Sequence, residues 1–355
     1  MVGLNNVESL KAADSTGFFS SLAGLGEQCL KAYEAGRGAI LPAVQKVSAV
    51  VVTGLGGSAI GGDLLRVYCQ EHLGVPVVVN RDYTLPAFVD GNTLVFSVSY
   101  SGNTEETLSA YQHARDKGSI IVTLTSGGKL KALADRDGVP VIQVPAGLAP
   151  RAATGYLFIP MLAVLERLGM LNGLTGEVTE LARVLNSYAA DYGLDTPVEK
   201  NPAKQLALNF KDHIPVMWGV SGTTDVVAQR WKGQINENAK APAYWNVFPE
   251  LNHNEIVGFE QPEELIRKLW VVMLRDKGDH SRVGYRMEIT RRIIAERVAG
   301  VTEVTSTGDG LLARLYSLIY LGDWASAYLA VLYGIDPGPV KVIDLLKGEL
   351  AKHPT

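Results

Sequence analysis

Cysteine is scarce in this chain of 355 residues: it occurs only at Cys29 and Cys69. There is no Cys-x-x-Cys pair and no Cys/His cluster, so the sequence gives no reason to expect a structural zinc site or any other metal centre. One disulfide stays open as an alternative, but a reducing cytoplasm is the simpler reading. An excess of basic residues is also missing. Lys and Arg total 33 against 37 Asp and Glu, a formal net charge of −4. Broad nucleic-acid binding needs a basic face and is not expected. An anionic ligand would have to be captured by a local array of donors, because the overall field does not attract it. Residues 1–10 lack a basic segment followed by an apolar one, so neither a signal peptide nor a membrane span is expected.

What is present is an ordinary globular composition, 47% hydrophobic and 20% charged, at a length that suits two domains. The first half alternates short β-branched runs with helical stretches. The runs are Ala49–Thr53, Val75–Asn80, Thr93–Val98, Ile120–Leu124 and Val139–Val144. Nearly uniform apolarity predicts strands covered on both faces, and strand–helix alternation predicts an open parallel sheet. Helices are expected at Gly62–Leu73 and Glu105–Lys117. The strand signal disappears from about Gly169 to Pro202, then returns at Pro215–Val220, Ala243–Val247, Leu269–Leu274 and Val301–Val304. The expected organisation is a first α/β domain over 1–168, a connecting helical segment over 169–200 and a second α/β domain over 201–355. A long helix, Leu311–Leu332, and a last helix ending near Leu350 close the chain. A short internal repeat supports duplication: Gly54-Leu55-Gly56-Gly57-Ser58 and Gly219-Val220-Ser221-Gly222-Thr223 each follow an apolar strand.

The glycine-rich turn Gly54–Gly62 departs from the dinucleotide spacing, with Ala59 at the third glycine position, and no Gly-Lys-Ser/Thr follows. It reads equally well as a close strand–helix packing turn or as a loop that brings Ser58 and backbone N–H groups to a ligand. The stretch Ser99-Tyr100-Ser101-Gly102-Asn103-Thr104-Glu105-Glu106-Thr107 shifts that balance. A helix start with Glu three residues beyond a Thr or Asn is a capping box, but capping consumes one hydroxyl and this turn carries Ser99, Ser101 and Thr104. Two such turns at the ends of strands in one sheet suit a single anion, held by hydroxyls and a helix N-terminus.

At these residues the chain resembles the sugar isomerase (SIS) domains. Further on, Trp231-Lys232-Gly233-Gln234-Ile235-Asn236-Glu237-Asn238-Ala239-Lys240-Ala241-Pro242 and Pro249-Glu250-Leu251-Asn252-His253-Asn254-Glu255 resemble second-domain motifs of the bifunctional phosphoglucose/phosphomannose isomerases. The resemblance spans roughly residues 40 to 350. It implies two tandem SIS-type α/β/α sandwiches, each with a five-stranded parallel sheet, and a loop that wraps the phosphate of a phosphosugar. Gly57, Ser58, Ser99, Ser101 and Thr104 are then the phosphate-binding candidates.

The resemblance also assigns chemistry. Glu237 takes the place of the base that moves a proton between C2 and C1; from spacing alone it reads as a solvated Glu paired with Lys240. His253 matches a ring-opening histidine that reaches the site from the neighbouring subunit, which implies a homodimer; imidazole suits proton transfer near neutral pH. Arg151 matches an arginine that stabilises an enediolate. Of the two C-terminal lysines, Lys347 is the better match to a ring-opening lysine and Lys341 the alternative. Dual-specificity relatives keep a threonine nearby; residues 334–346 contain none. The resemblance therefore carries glucose 6-phosphate further than mannose 6-phosphate.

The expected activity is aldose–ketose isomerisation of these hexose 6-phosphates with fructose 6-phosphate, without metal or cofactor, in the cytoplasm, as a step of glycolysis and gluconeogenesis. The alternatives are an isomerase of another sugar phosphate, a non-catalytic phosphosugar sensor and, less favoured by the loop spacing, a dinucleotide-binding enzyme.

Overall fold

The computed structural model of the chain describes residues 3–353. Two compact units emerge. The first comprises Ala23–Ser187 and Ser306–Ser317; the second takes the chain up to Leu22, Tyr188–Thr305 and everything from Leu318 on.

The first unit holds a five-stranded parallel sheet: β1 (Ala49–Thr53), β2 (Val77–Asn80), β3 (Thr93–Val98), β4 (Ile120–Thr125) and β5 (Val141–Gln143), in the order β2-β1-β3-β4-β5. Every residue of β1 and β3 is buried, because helices cover both faces of the sheet centre. One face packs Val51 and Val95 against Ala110, Tyr111 and Ala114 of the helix Glu105–Asp116. The helix after β1 runs Gly57–Cys69 and so begins at Gly57 rather than Gly62. The turns that follow β1 and β3 lie at the carboxyl ends of adjacent parallel strands, where open α/β sheets place their ligands.

The second unit holds β6 (Ile214–Val220), β7 (Tyr244–Phe248), β8 (Leu269–Arg275) and β9 (Gly300–Thr305) in the order β7-β6-β8-β9, again parallel. This sheet has four strands where the resemblance implied five. The reason lies in the path of the chain. After β9, residues 306–317 belong to the first unit, and the chain then continues as the rest of the long helix Leu311–Leu332, not as another strand. This helix is long and apolar enough to cross a membrane by length and composition, and 94% of its apolar window is buried inside the fold.

The unit boundaries differ from those expected at 1–168 and 201–355. Residues up to Leu22 group with the second sheet because Phe19 stacks on Trp324 and packs at a tilt against Tyr328, with ring centroids 5.8 and 5.2 Å apart, and Tyr320 Oη donates to the Leu22 carbonyl at 2.9 Å. Each such aromatic pair adds about 0.5–1.5 kcal/mol beyond the burial of its area. The helix Leu174–Tyr192 starts in the segment expected to be a connection, yet Tyr68 Oη donates to Glu177 Oε1 at 2.8 Å within the first unit. Cys29 and Cys69 are both free and buried, and burial pushes the Cys69 thiol up to about 12.

Candidate functional site

In the first unit the hydroxyl cluster is built by two turns that lean on each other. Ser58 is the second residue of the helix Gly57–Cys69 and is buried. Its Oγ accepts the Tyr100 N–H at 3.4 Å, joining the β1 turn to the β3 turn. Ser99 is buried as well. Its Oγ accepts the Gly102 N–H at 3.1 Å and lies 3.0 Å from Thr104 Oγ1. Thr104 occupies the N-cap of the helix Glu105–Asp116, yet its side chain makes no capping bond. The hydroxyl is thus spent on the cluster and not on the helix, the opposite of a capping box. Ser101 is exposed, and its Oγ accepts the Asn103 N–H at 3.3 Å.

Two glycines make these turns possible. Gly102 has φ +69°, and a Cβ there would meet the Gly127 carbonyl oxygen at 1.8 Å. A Cβ on Gly57 would meet the Pro150 carbonyl oxygen at 2.8 Å. The second contact brings the β1 turn against the short helix Pro150–Ala152, which carries Arg151. Arg151 is only 3% exposed. Gln28 holds this segment from behind: its Nε2 donates to the Ala152 carbonyl at 3.0 Å and its Oε1 accepts the Gly155 N–H at 2.7 Å. Tyr100 completes the link. Its hydroxyl donates to the Pro145 carbonyl at 2.8 Å and accepts the Leu148 N–H at 2.9 Å. Sequence reasoning misses the roles of Tyr100 and Gln28. Tyr100 sits inside the serine-rich motif and shows there only as an aromatic between hydroxyls; Gln28 gives no local signal.

In the second unit the helix Asp225–Gln234 runs into a π-helical turn, Ile235–Ala239, that carries Glu237. Glu237 lines a cavity of about 940 Å³ together with Asn236, Lys240, Ser15, Asp336 and Lys341. Lys240 is in the left-handed region at φ 54°. Its Nζ donates to the Asn238 carbonyl at 3.0 Å and the Asp336 carbonyl at 2.8 Å, tying the Glu237 turn to the C-terminal segment. Burial works to raise the Asp336 pKa, but hydrogen bonds from Ser15 and the Gly338 N–H, and the Lys240 charge, hold it below the usual carboxylate value.

Lys341 is the first residue of the exposed helix Lys341–Leu350. Lys347 lies on the same helix and is not among the residues that line this cavity, whereas Lys341 is. His253 ends the short helix Glu250–His253, is exposed, and is not among the residues that line this cavity. Its neighbours are anchors: Asn252 Nδ2 donates to Thr290 Oγ1 at 2.8 Å, and Trp218 Nε1 donates to Glu255 Oε1 at 2.8 Å. Among the described residues, no group of three His, Cys, Asp or Glu is placed to hold a metal ion.

The second sheet repeats the turn topology without the hydroxyl cluster. β6 and β8 stand as β1 and β3 do, each pair adjacent and central in its sheet. Where the first unit has Ser99–Thr104, the second has Asp276-Lys277-Gly278-Asp279-His280. There the Thr223 hydroxyl donates to Asp279 Oδ1 at 3.0 Å, and the Asp276 N–H donates to Asp279 Oδ2 at 2.8 Å. The donors at this second turn are taken by a carboxylate of the chain itself.

Comparison with known proteins finds two family matches in the chain. Residues 44–138 match the SIS domain family, and residues 199–350 match the bacterial phospho-glucose isomerase C-terminal SIS domain family. The chain is 52% identical over 335 residues to a bifunctional phosphoglucose/phosphomannose isomerase of Caldicellulosiruptor bescii, covering 94% of this chain and 99% of that one. It is 40% identical over 308 residues to the protein of the same name from Aquifex aeolicus, covering 86% and 91%. Among solved structures, a hypothetical protein from Thermus thermophilus superposes with TM-score 0.72 at 17% identity, over 97% of this chain and 93% of that one, a likeness of fold alone.

Proposed function

The chain belongs to the bifunctional phosphoglucose/phosphomannose isomerase family, and from that premise we propose that it interconverts glucose 6-phosphate and mannose 6-phosphate with fructose 6-phosphate. Both aldoses lose the proton at C2 to give the same cis-enediol, so one base and one enediolate stabiliser serve two epimers. The missing threonine at 334–346 bears on the ratio of the two rates and leaves the shared intermediate intact.

In this reading Ser58, Ser99, Ser101 and Thr104 hold the phosphate, with the backbone at Gly57 approaching it closely. The proposed base is Glu237. It takes the C2 proton of the open-chain aldose and returns a proton to C1, while the O2 hydroxyl gives up its proton and O1 gains one, so the isomerisation is balanced without an external acid, base or redox partner. Arg151 stabilises the negative enediolate. Ring opening needs a proton moved from the O1 hydroxyl to the ring oxygen. Lys341, which lines the same cavity as Glu237, is assigned that role ahead of Lys347, and His253, exposed on its own chain, is assigned to the site of a second copy in a homodimer. The proposed setting is the cytoplasm, within glycolysis and gluconeogenesis, in keeping with phosphorylated substrates and two unpaired thiols.

The observation that carries the reading is Glu237 itself, a carboxylate on the wall of a cavity of about 940 Å³ that Lys341 also lines. A coupled assay of fructose 6-phosphate formation from each aldose phosphate tests it. Turnover of both is expected; turnover of neither sinks the reading and favours a phosphosugar sensor.

A further inference from the structure

Glu237 stands on a π-helical turn, a conformation that is rare and persists only where its surroundings hold it. The surroundings here are polar and buried. Arg230 and Asp323 form an ion pair with side chains 3% and 1% exposed, through Nη2–Oδ2 at 2.7 Å and Nε–Oδ1 at 3.1 Å. Gln234, the last residue before the π-turn, donates its Nε2 to the same Asp323 Oδ1 at 2.8 Å. Asn238, the residue after Glu237, donates its Nδ2 to Ser326 Oγ at 2.9 Å. Ser326 Oγ donates in turn to the Asp323 carbonyl at 2.8 Å. Asp323 and Ser326 lie one turn apart on the long helix. They hold residues on both sides of Glu237 in sequence, three before it and one after.

A buried ion pair is a poor source of stability, since well-packed apolar residues commonly replace it at no loss. It does fix geometry. We propose that Asp323 and Ser326, acting through Gln234 and Asn238, are positioning residues for Glu237: they lock the π-turn in the form that aims the carboxylate. The proposal rests on Glu237 being the base. It gives a role to a buried network whose members are not among the residues that line the cavity.

The test is steady-state kinetics on the full-length protein with Ser326→Ala, Ser326→Thr and Gln234→Met. Ser326→Ala removes the acceptor for Asn238, Ser326→Thr keeps a hydroxyl, and Gln234→Met keeps the volume without the donor. A misaimed base lowers kcat and leaves substrate binding alone. Ser326→Ala and Gln234→Met are each expected to lose about tenfold in kcat, with KM and the inhibition constant of inorganic phosphate within about twofold of wild type. Ser326→Thr is expected to recover most of the loss. Should Ser326→Ala fail to fold, Gln234→Met decides alone. Wild-type kcat in Gln234→Met, or a parallel rise in KM in every variant, overturns the positioning role. Full activity in Glu237→Gln overturns instead the reading on which it rests, so the two failures are told apart.

Discussion

Thr104 opens the helix Glu105–Asp116 but places its hydroxyl 3.0 Å from Ser99 Oγ, not on the helix N–H groups. A cap removed from a helix costs about 1 kcal/mol, and Thr104 has no such bond to lose. Thr104→Val is therefore expected to leave the melting temperature nearly unchanged while raising KM for hexose 6-phosphates about tenfold. Ser99→Ala should act the same way. Thermal melts and initial rates, run side by side, separate a phosphate-binding role from a capping role.

The C-terminal lysines make a second comparison. Lys341 shares the cavity with Glu237 and Lys347 does not. Lys341→Met is expected to lower kcat/KM on the cyclic sugar phosphate by about tenfold or more, and Lys347→Met by less than about twofold. Equal losses would show that the helix Lys341–Leu350 takes a different position when substrate is bound.

Asp279 gives a prediction in pH. Burial is the largest cause of its raised pKa, opposed by hydrogen bonds from Asp276 and Thr223. A carboxyl with a raised folded-state pKa keeps its proton more tightly folded than unfolded. Its contribution to stability is thus present at acid pH and is lost as pH climbs from the ordinary Asp value through the raised one. Asp279→Asn should raise the melting temperature at pH 7 and have little effect near pH 3. A lower melting temperature at both pH values would show that the carboxylate is needed to hold the β6 and β8 turns together.

At the alkaline end, Tyr68, Tyr111, Tyr192 and Tyr328 all have pKa values raised chiefly by burial. Each holds its proton more tightly when folded, so stability falls as pH rises past the ordinary tyrosine value. These phenols are expected to ionise together with unfolding above about pH 10. Tyrosinate absorbance followed against circular dichroism checks this: coincident curves are expected, and early tyrosinate absorbance with full circular dichroism would contradict it.

Lys204 supplies a stability test away from the site. It is buried, donates its Nζ to the Leu194 and Thr196 carbonyls at 2.8 and 2.7 Å, and lies 5.4 Å from the Tyr328 ring centroid. Lys204→Met keeps the length and leaves two carbonyls unmet. A loss of about 2–3 kcal/mol in chemical denaturation is expected.

The strands are readable in the sequence because covered parallel strands are apolar on both faces, as the buried runs of β1 and β3 show. Sequence pattern starts the helix after β1 too late, at Gly62, because Gly57, Gly61 and Gly62 lower helix propensity. Its start depends instead on the approach of the Pro150 carbonyl to Gly57, a contact that spacing does not reveal. The hydroxyl cluster and Glu237 are legible as motifs. Which C-terminal lysine lines the Glu237 cavity is not, because helical periodicity places residues around an axis without saying which end of the helix borders a cavity. The grouping of residues up to Leu22 with the second sheet is hidden for a like reason. Phe19 and Trp324 are far apart in sequence, and apolar pattern carries no partner identity.

At the centre of the proposed reaction stands Glu237, moving the proton between C2 and C1. The most direct measurement follows glucose 6-phosphate and mannose 6-phosphate in deuterated water, with wild type and Glu237→Gln. Wild type should form fructose 6-phosphate from both and incorporate solvent deuterium at carbon, while Glu237→Gln loses about 10²–10⁴-fold in both rates and still binds phosphate. Isomerisation and exchange by Glu237→Gln within a few-fold of wild type would contradict that role.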